Sequence, residues 1–193
     1  MTSENIYQAP EAELVVTSSD EEKLQFFTTT IRKLIILSIC TFNIYSLYWF
    51  YKHWQAQKLG AGVNCKPVLR AIFQVFFVYS LFSKIKIETA SKGIKAAWGA
   101  GLFATVYILL QITSVVTGQI FSDPSFIIVS LFISFGISLL GVIPLIVAQK
   151  TANQLNGDPE GKQNEQFSGL NWLCIVLGVC YFSLIIFSSV AVV

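Results

Sequence analysis

The stretch IRKLIILSICTFNIYSLYWFYKHW, residues 31–54, opens on Arg32 and Lys33 and closes on Lys52, His53 and Trp54. Between the cations, Leu34 to Tyr51 is 18 residues without a charge. A helix needs about 20 apolar residues to cross about 30 Å of hydrocarbon. The run therefore reads as a membrane element. Its second half holds Phe42, Tyr45, Tyr48, Trp49, Phe50 and Tyr51, a density of aromatics suited to a membrane–water interface. Asn43 stands near the middle, beside Thr41. An amide there needs a neighbouring helix to take its hydrogen bonds. Alternatively, it marks a break in the helix, tolerated only where protein covers the backbone.

The rest of the chain fits that reading. Of 193 residues, 54% are hydrophobic and only 12% charged, against about 25% charged in soluble domains. Four further apolar segments follow the first, at about 67–83, 96–117, 126–148 and 172–193. The expected fold is an all-α polytopic membrane bundle of five apolar segments, 34–51 included, with the first two either spanning or re-entrant. Residues 1–22 hold no apolar face and read as a disordered acidic cytosolic tail. Residues 23–193 form one transmembrane domain.

Charge is sharply partitioned. Residues 1–30 carry one Lys against six acids, 31–95 ten Lys/Arg against Glu88, and 96–193 two Lys against four acids. The basic block flanks apolar runs at span-like spacing, which points to topology and anionic-lipid contact rather than nucleic acid. The positive-inside rule puts the N-terminus in the cytoplasm and the C-terminus in the periplasm. Five spans leave Lys52, Lys58 and Lys66 outside. A re-entrant pair puts every cation inside and explains the shortness of segment 67–83. The length and aromatic belt of 34–51 favour five spans.

Several polar or small residues stand out as helix-packing or polar-path candidates. Arg70 and Gln74 share a face by their spacing of four, with Arg70 close enough to the segment start to snorkel. Gly101 lies on a small-residue stripe of segment 96–117, and Gln111 is that segment's one strongly polar group. Ser130, Ser134, Ser138 and Gly141 line one face of segment 126–148, suited to close helix packing or to a polar path. Pro144 is placed to kink that segment. Gln149, Asn153 and Asn156 extend a polar face into water. Ser168 is expected to cap the last segment, with Phe167 and Trp172 as a hydrophobic staple.

Two stretches resemble known sequences. Thr41-Phe42-Asn43-Ile44-Tyr45-Ser46-Leu47-Tyr48-Trp49-Phe50-Tyr51-Lys52-His53-Trp54 is similar to the Thr-x-Gly-(Ile/Leu)-Tyr-x-x-Tyr-Trp-x-Tyr-Lys-x-Trp signature of a group of uncharacterised bacterial membrane proteins, with Asn43 in place of Gly. Lys66 to Phe73 and Tyr79-Ser80-Leu81-Phe82 resemble the same group's Pro-Phe-Trp-Arg-Ala-Phe-Phe and Tyr-Ser-Leu-Phe. Asn5 to Leu14 resembles the Asn-Pro-Tyr-x-Ala-Pro-type leader of bacterial inner-membrane proteins, with Ile6 for Pro. The resemblance implies a multi-pass protein of the bacterial inner membrane and carries no reaction or ligand.

No nucleophile elbow, phosphate loop, paired carboxylates or Cys/His cluster appears. Cys40, Cys65, Cys174 and Cys180 read as free thiols. The expectation is a non-enzymatic interaction or structural component with no catalytic residues, metal or cofactor, acting through helix packing. Its partners would be the bilayer, anionic lipids near the basic linkers, and a membrane protein or a second copy. The alternative is a small-solute transporter or channel subunit using the serine face.

Overall fold

The computed structural model describes residues 25–120 and 126–191. The acidic tail and Asp123-Pro124 lie outside them. The described residues form eight α-helices and a short 3-10 turn, with no strand among them. Three stretches are long and apolar enough to cross a membrane: Ala100–Gln119, Ile128–Leu155 and Gly169–Phe187.

Segment 34–51 is two helices rather than one. α1 spans Ile31–Cys40 and α2 spans Tyr45–Gly60. Thr30 starts α1 by accepting the Lys33 N–H on its hydroxyl at 3.2 Å. The break follows Cys40, where Phe42 (φ 52°) and Asn43 (φ 65°) both sit in the left-handed region. Asn is among the few non-glycine residues that tolerate it, so Asn43 can stand where the resembled signature has Gly. Thr41 splices the two helices. Its hydroxyl donates to the Leu37 carbonyl at 2.7 Å and accepts the Tyr45 N–H at 2.9 Å. The chain then doubles back, because Gln57 near the end of α2 donates to the carbonyl of Gln25, which precedes α1.

α3 (Pro67–Ile72) and α4 (Gln74–Ser91) meet at Phe73. α3 lies along α2, with the Arg70 guanidinium 4.2 Å from the Trp54 ring. α4 begins beside Ser46 and ends at Lys92, whose ammonium donates to the Leu155 carbonyl at 3.0 Å. The stretch Lys84–Lys95, between the second and third apolar segments, mostly continues α4. The loop is Lys92–Gly99, and α5 spans Ala100–Ile120.

α6 (Ile127–Leu140) and α7 (Val142–Leu155) are one rod bent at Gly141. Pro144 accounts for the bend, since it has no N–H to offer Leu140. At 1.5 Å per residue, the 28-residue stretch Ile128–Leu155 reaches about 42 Å. That exceeds the hydrocarbon by about 12 Å, the length of about two helical turns. α8 (Gly169–Ala191) begins as expected. The Ser168 hydroxyl accepts the Asn171 N–H at 3.3 Å, and the Phe167 and Trp172 rings pack at 5.8 Å. α8 rests on α1, where Gly178 lies so close to the Cys40 carbonyl that a Cβ would overlap it.

The core collects the inward faces of α1, α2, α4, α5 and α7. Leu34, Trp49, Trp54, Phe82, Ile85 and Leu145 are all fully buried. Outward faces are apolar and exposed, notably Leu109 on α5, Val129 on α6 and Leu184 on α8. Such a surface is suited to lipid rather than water.

Candidate functional site

Two polar clusters stand out, one at the α1–α2 turn and one at the C-terminal end of α7. The first is built from the turn inward. Asn43 is buried and donates to the Ser138 hydroxyl at 2.9 Å. Ser138 donates in turn to the Gln111 side-chain carbonyl at 3.4 Å. One turn further along, the Ser114 hydroxyl donates to the Ser134 carbonyl at 2.7 Å. Gly141 faces Gln111, and Ser134 faces Gly118, each so closely that a Cβ on the glycine would touch the facing side chain. Thus Asn43, Gln111, Ser134, Ser138 and Gly141 come together, joining α5, α6 and the turn.

The other candidates lie elsewhere. Arg70 stacks on Trp54 and Phe77, a cation–π arrangement. Gln74 donates to the Ser46 hydroxyl at 3.3 Å. Gly101 is exposed; its carbonyl accepts the Thr105 hydroxyl, which also meets the Tyr79 phenol. Ser130 is buried on α6, away from the turn cluster.

Beside the first cluster is a cavity of about 220 Å³ between α6, α8 and the turn. Ser114, Ser134 and Ser138 form part of its wall, and Phe42, Phe135 and Phe182 much of the rest. The Phe42 ring stacks on Phe182 at 4.3 Å. That packing helps hold a phenylalanine in a backbone conformation its Cβ disfavours. Hydroxyls and amides here can donate and accept hydrogen bonds. They carry no charge and offer no acid–base pair.

The second cluster was not anticipated. Gln149, Asn153 and Asn156, expected to face water, point inward and clasp the extended residues Gln25–Thr30. Gln149 accepts from Trp49 Nε1 at 2.6 Å and donates to the Phe27 carbonyl at 2.9 Å and to Asn153 Oδ1 at 2.7 Å. Asn153 donates to the Thr29 carbonyl at 2.9 Å, and Asn156 to the Phe26 carbonyl and, at 2.8 Å, to the Thr28 hydroxyl. Asn164 closes the far side on the Thr28 carbonyl at 3.1 Å. Gly161 (φ 74°) is pressed against the Thr29 carbonyl where no Cβ would fit. The i, i+4 spacing of Gln149 and Asn153 was visible in sequence, but not which side they face.

His53 belongs to this clasp. It is fully buried, lies near the Phe27 and Trp49 rings, and meets Gln149 Oε1 at 3.1 Å. Burial pushes its pKa down to about 3, against a smaller upward pull from Gln149, so the imidazole is neutral. Lys33, also buried, donates to Asn164 Oδ1 at 2.7 Å and the Gln166 carbonyl at 2.8 Å. Burial lowers its pKa below the ordinary lysine value.

Among the described residues no three His, Cys, Asp or Glu side chains are grouped to hold a metal ion. No family model, curated protein or solved structure matches this chain.

Proposed function

We propose that this chain is a non-enzymatic interaction or structural component of the bacterial inner membrane, working through helix packing. The observation that carries the reading is how its membrane-level polar groups are used. Asn43, Ser138 and Gln111 bond one another, Ser114 bonds the Ser134 backbone, and Thr41 bonds its own helix ends. The hydrogen bonds these groups make join helices, the use expected of polar groups in a lipid-embedded bundle, while Asn43 Oδ1 and Ser134 Oγ have no partner among the described residues. Meanwhile α8 touches the bundle mainly through α1 and leaves Leu173, Leu177 and Leu184 more than half exposed. That face suits a helix of a partner protein or of a second copy.

Photo-cross-linking amino acids placed at Leu173, Leu177 and Leu184 in native membranes test this. A discrete protein adduct, to itself or to a second protein, supports the proposal. Lipid adducts alone at all three positions overturn it. A second reading, a small-solute transporter or channel subunit, is favoured by one observation: the serine-walled cavity beside the turn. Solute flux in proteoliposomes that Ser138→Ala reduces would replace the interaction reading with that one.

In the proposed topology the N-terminus is cytoplasmic and the C-terminus periplasmic, with α1–α2 and α3–α4 re-entrant from the cytoplasmic side. Support comes from Gln57 meeting Gln25, from Lys52 lying 5.8 Å from the Phe27 ring, and from Lys92 meeting Leu155. These contacts gather the cations of 31–95 at one end of the bundle, as the positive-inside rule asks. Cys65 is buried against the Trp54 carbonyl and makes a poor reporter, whereas Ala61 is exposed. In a protein cleared of native cysteines, Ala61→Cys should resist an impermeant maleimide in intact spheroplasts and react once the membrane is opened. Labelling in intact spheroplasts would restore five spans.

A further inference from the structure

A second cavity, of about 480 Å³, lies where α1 and α8 begin, against the loop before α8. Its walls are apolar: Ile36 from α1, Phe167 from the loop, Trp172 and Ile175 from α8. Its rim carries two exposed and opposite charges, Arg32 and Glu165. The loop is fixed against α1 by the buried Lys33 ammonium, which holds Asn164 and Gln166 on either side of Glu165. Among the described residues Arg32 and Glu165 make no close ion pair; the nearby Lys162 pairs with Glu160 at 2.7 Å and feels the Glu165 charge only as a weaker, longer-range attraction.

The level of this cavity matters. The α8 span starts at Gly169, so Trp172 stands within its first turn, where aromatic side chains mark the headgroup boundary. Ile36 and Ile175 lie further along α1 and α8, toward the hydrocarbon. The site is thus charged at the water side and apolar at the lipid side. A guanidinium suits a phosphodiester, which it can hold with paired N–H donors. A carboxylate beside it would repel a purely anionic headgroup, but would accept hydrogen bonds from a primary ammonium.

We propose that this cavity holds one phospholipid with a zwitterionic amine headgroup of the phosphatidylethanolamine type. Arg32 takes its phosphate, Glu165 its ammonium, and the wall of Ile36, Phe167, Trp172 and Ile175 the start of an acyl chain. The basic block alone pointed to anionic lipid; Glu165 redirects that expectation at this site. The inference rests on the membrane reading, but not on any protein partner. It is read on the isolated chain, so its failure and that of the interaction reading are distinguishable.

The test is lipid binding to the full chain, delipidated in mild detergent and followed by native mass spectrometry. The probes are dioleoyl phosphatidylethanolamine, phosphatidylcholine and phosphatidylglycerol, with glycerophosphoethanolamine as a headgroup without chains. The expected result is one retained phosphatidylethanolamine, preferred over phosphatidylcholine, which offers no N–H donor. The chainless headgroup should bind far more weakly. Arg32→Gln should weaken retention about tenfold, the loss expected for one charge-assisted hydrogen bond. Glu165→Gln should shift preference from phosphatidylethanolamine toward phosphatidylglycerol. Both residues are exposed, so unchanged melting of the lipid-free variants should confirm that they fold. Equal retention of all three lipids, or a headgroup preference that Glu165→Gln leaves unchanged, would overturn the proposal. Binding of glycerophosphoethanolamine as tight as that of the whole lipid would overturn it in favour of a soluble ligand.

Discussion

Gln149→Met is the sharpest probe of the clasp. The thioether has about the volume of the amide but neither donates nor accepts strongly, so packing is kept while the bonds are lost. Gln149 is fully buried, and its amide serves Trp49, His53, Asn153 and the Phe27 carbonyl. Asn153 Oδ1 has another donor in the Thr29 N–H at 3.4 Å. The Trp49 N–H, the Phe27 carbonyl and the His53 N–H have no such recourse, since a change of tautomer only moves the imidazole proton to Nδ1, which is buried and without a partner among the described residues. Each group stranded in a buried site costs about 1–3 kcal/mol, so stranding three should cost about 3–9 kcal/mol. That is a large part of the 5–15 kcal/mol typical of a whole domain. The assay is thermal melting in mild detergent, with Trp fluorescence reporting on Trp49 and its neighbours. Protease sensitivity near Gln25–Thr30 should rise in parallel. A melting temperature within a degree or two of wild type, with the fluorescence unchanged, would refute the claim that the amide anchors this segment.

Stability should fall on acidification, because unfolded His53 takes up a proton below about 6.5 whereas the folded one does so only near 3. The loss at pH 5 is about 2 kcal/mol; melting from pH 7.5 to 4.5 measures it, and His53→Gln should flatten the curve in that window. Gly161→Ala should cost more than the roughly 1–3 kcal/mol of left-handed strain alone, because its Cβ would also overlap the Thr29 carbonyl. Gly157→Ala, at φ 71° with nothing nearby, should cost only the strain; equal losses would show that the close approach is immaterial. Ser134→Leu should separate α5 from α6 and lower the melting temperature, while Ser134→Ala is near neutral because its hydroxyl has no partner among the described residues. A similar loss in both variants would make the hydroxyl itself functional.

What the sequence conveyed well was composition and period. Long uncharged runs in the second half became the three candidate spans, and the small face of Ser134, Ser138 and Gly141 does meet another helix. The cap at Ser168 and the staple of Phe167 with Trp172 follow local rules and were readable as such. The first half was harder for a physical reason. An 18-residue apolar run has the same hydropathy whether it crosses or doubles back, and the reversal depends on two residues, Phe42 and Asn43, adopting positive φ. Only Asn43 hints at that from its type; Phe42 is held by rings 93 and 140 residues away, Phe135 and Phe182. The clasp was illegible for the opposite reason. Polar residues just past a span ordinarily face water, and nothing local says that Gln25–Thr30 returns to cover them.

The turn and the spans also explain each other. Ending α1 at Cys40 exposes carbonyls that a continuing helix would have paired, and hydrocarbon offers no water to replace them. Part of the deficit is met locally: the Thr41 N–H and hydroxyl both go to Leu37, and the Asn43 N–H reaches the Ser38 carbonyl at 2.7 Å. The Asn43 side-chain N–H is met by Ser138 of α6, while its Oδ1 is left without a partner among the described residues. Phe135 and the first rings of the α8 aromatic pair, Tyr181 and Phe182, then cover the turn itself. In the proposed topology a reversal at this depth is therefore stable only where α6 and α8 already stand beside it. The serine face thus has a structural use that requires no solute: it is the surface on which a broken helix can end inside the membrane.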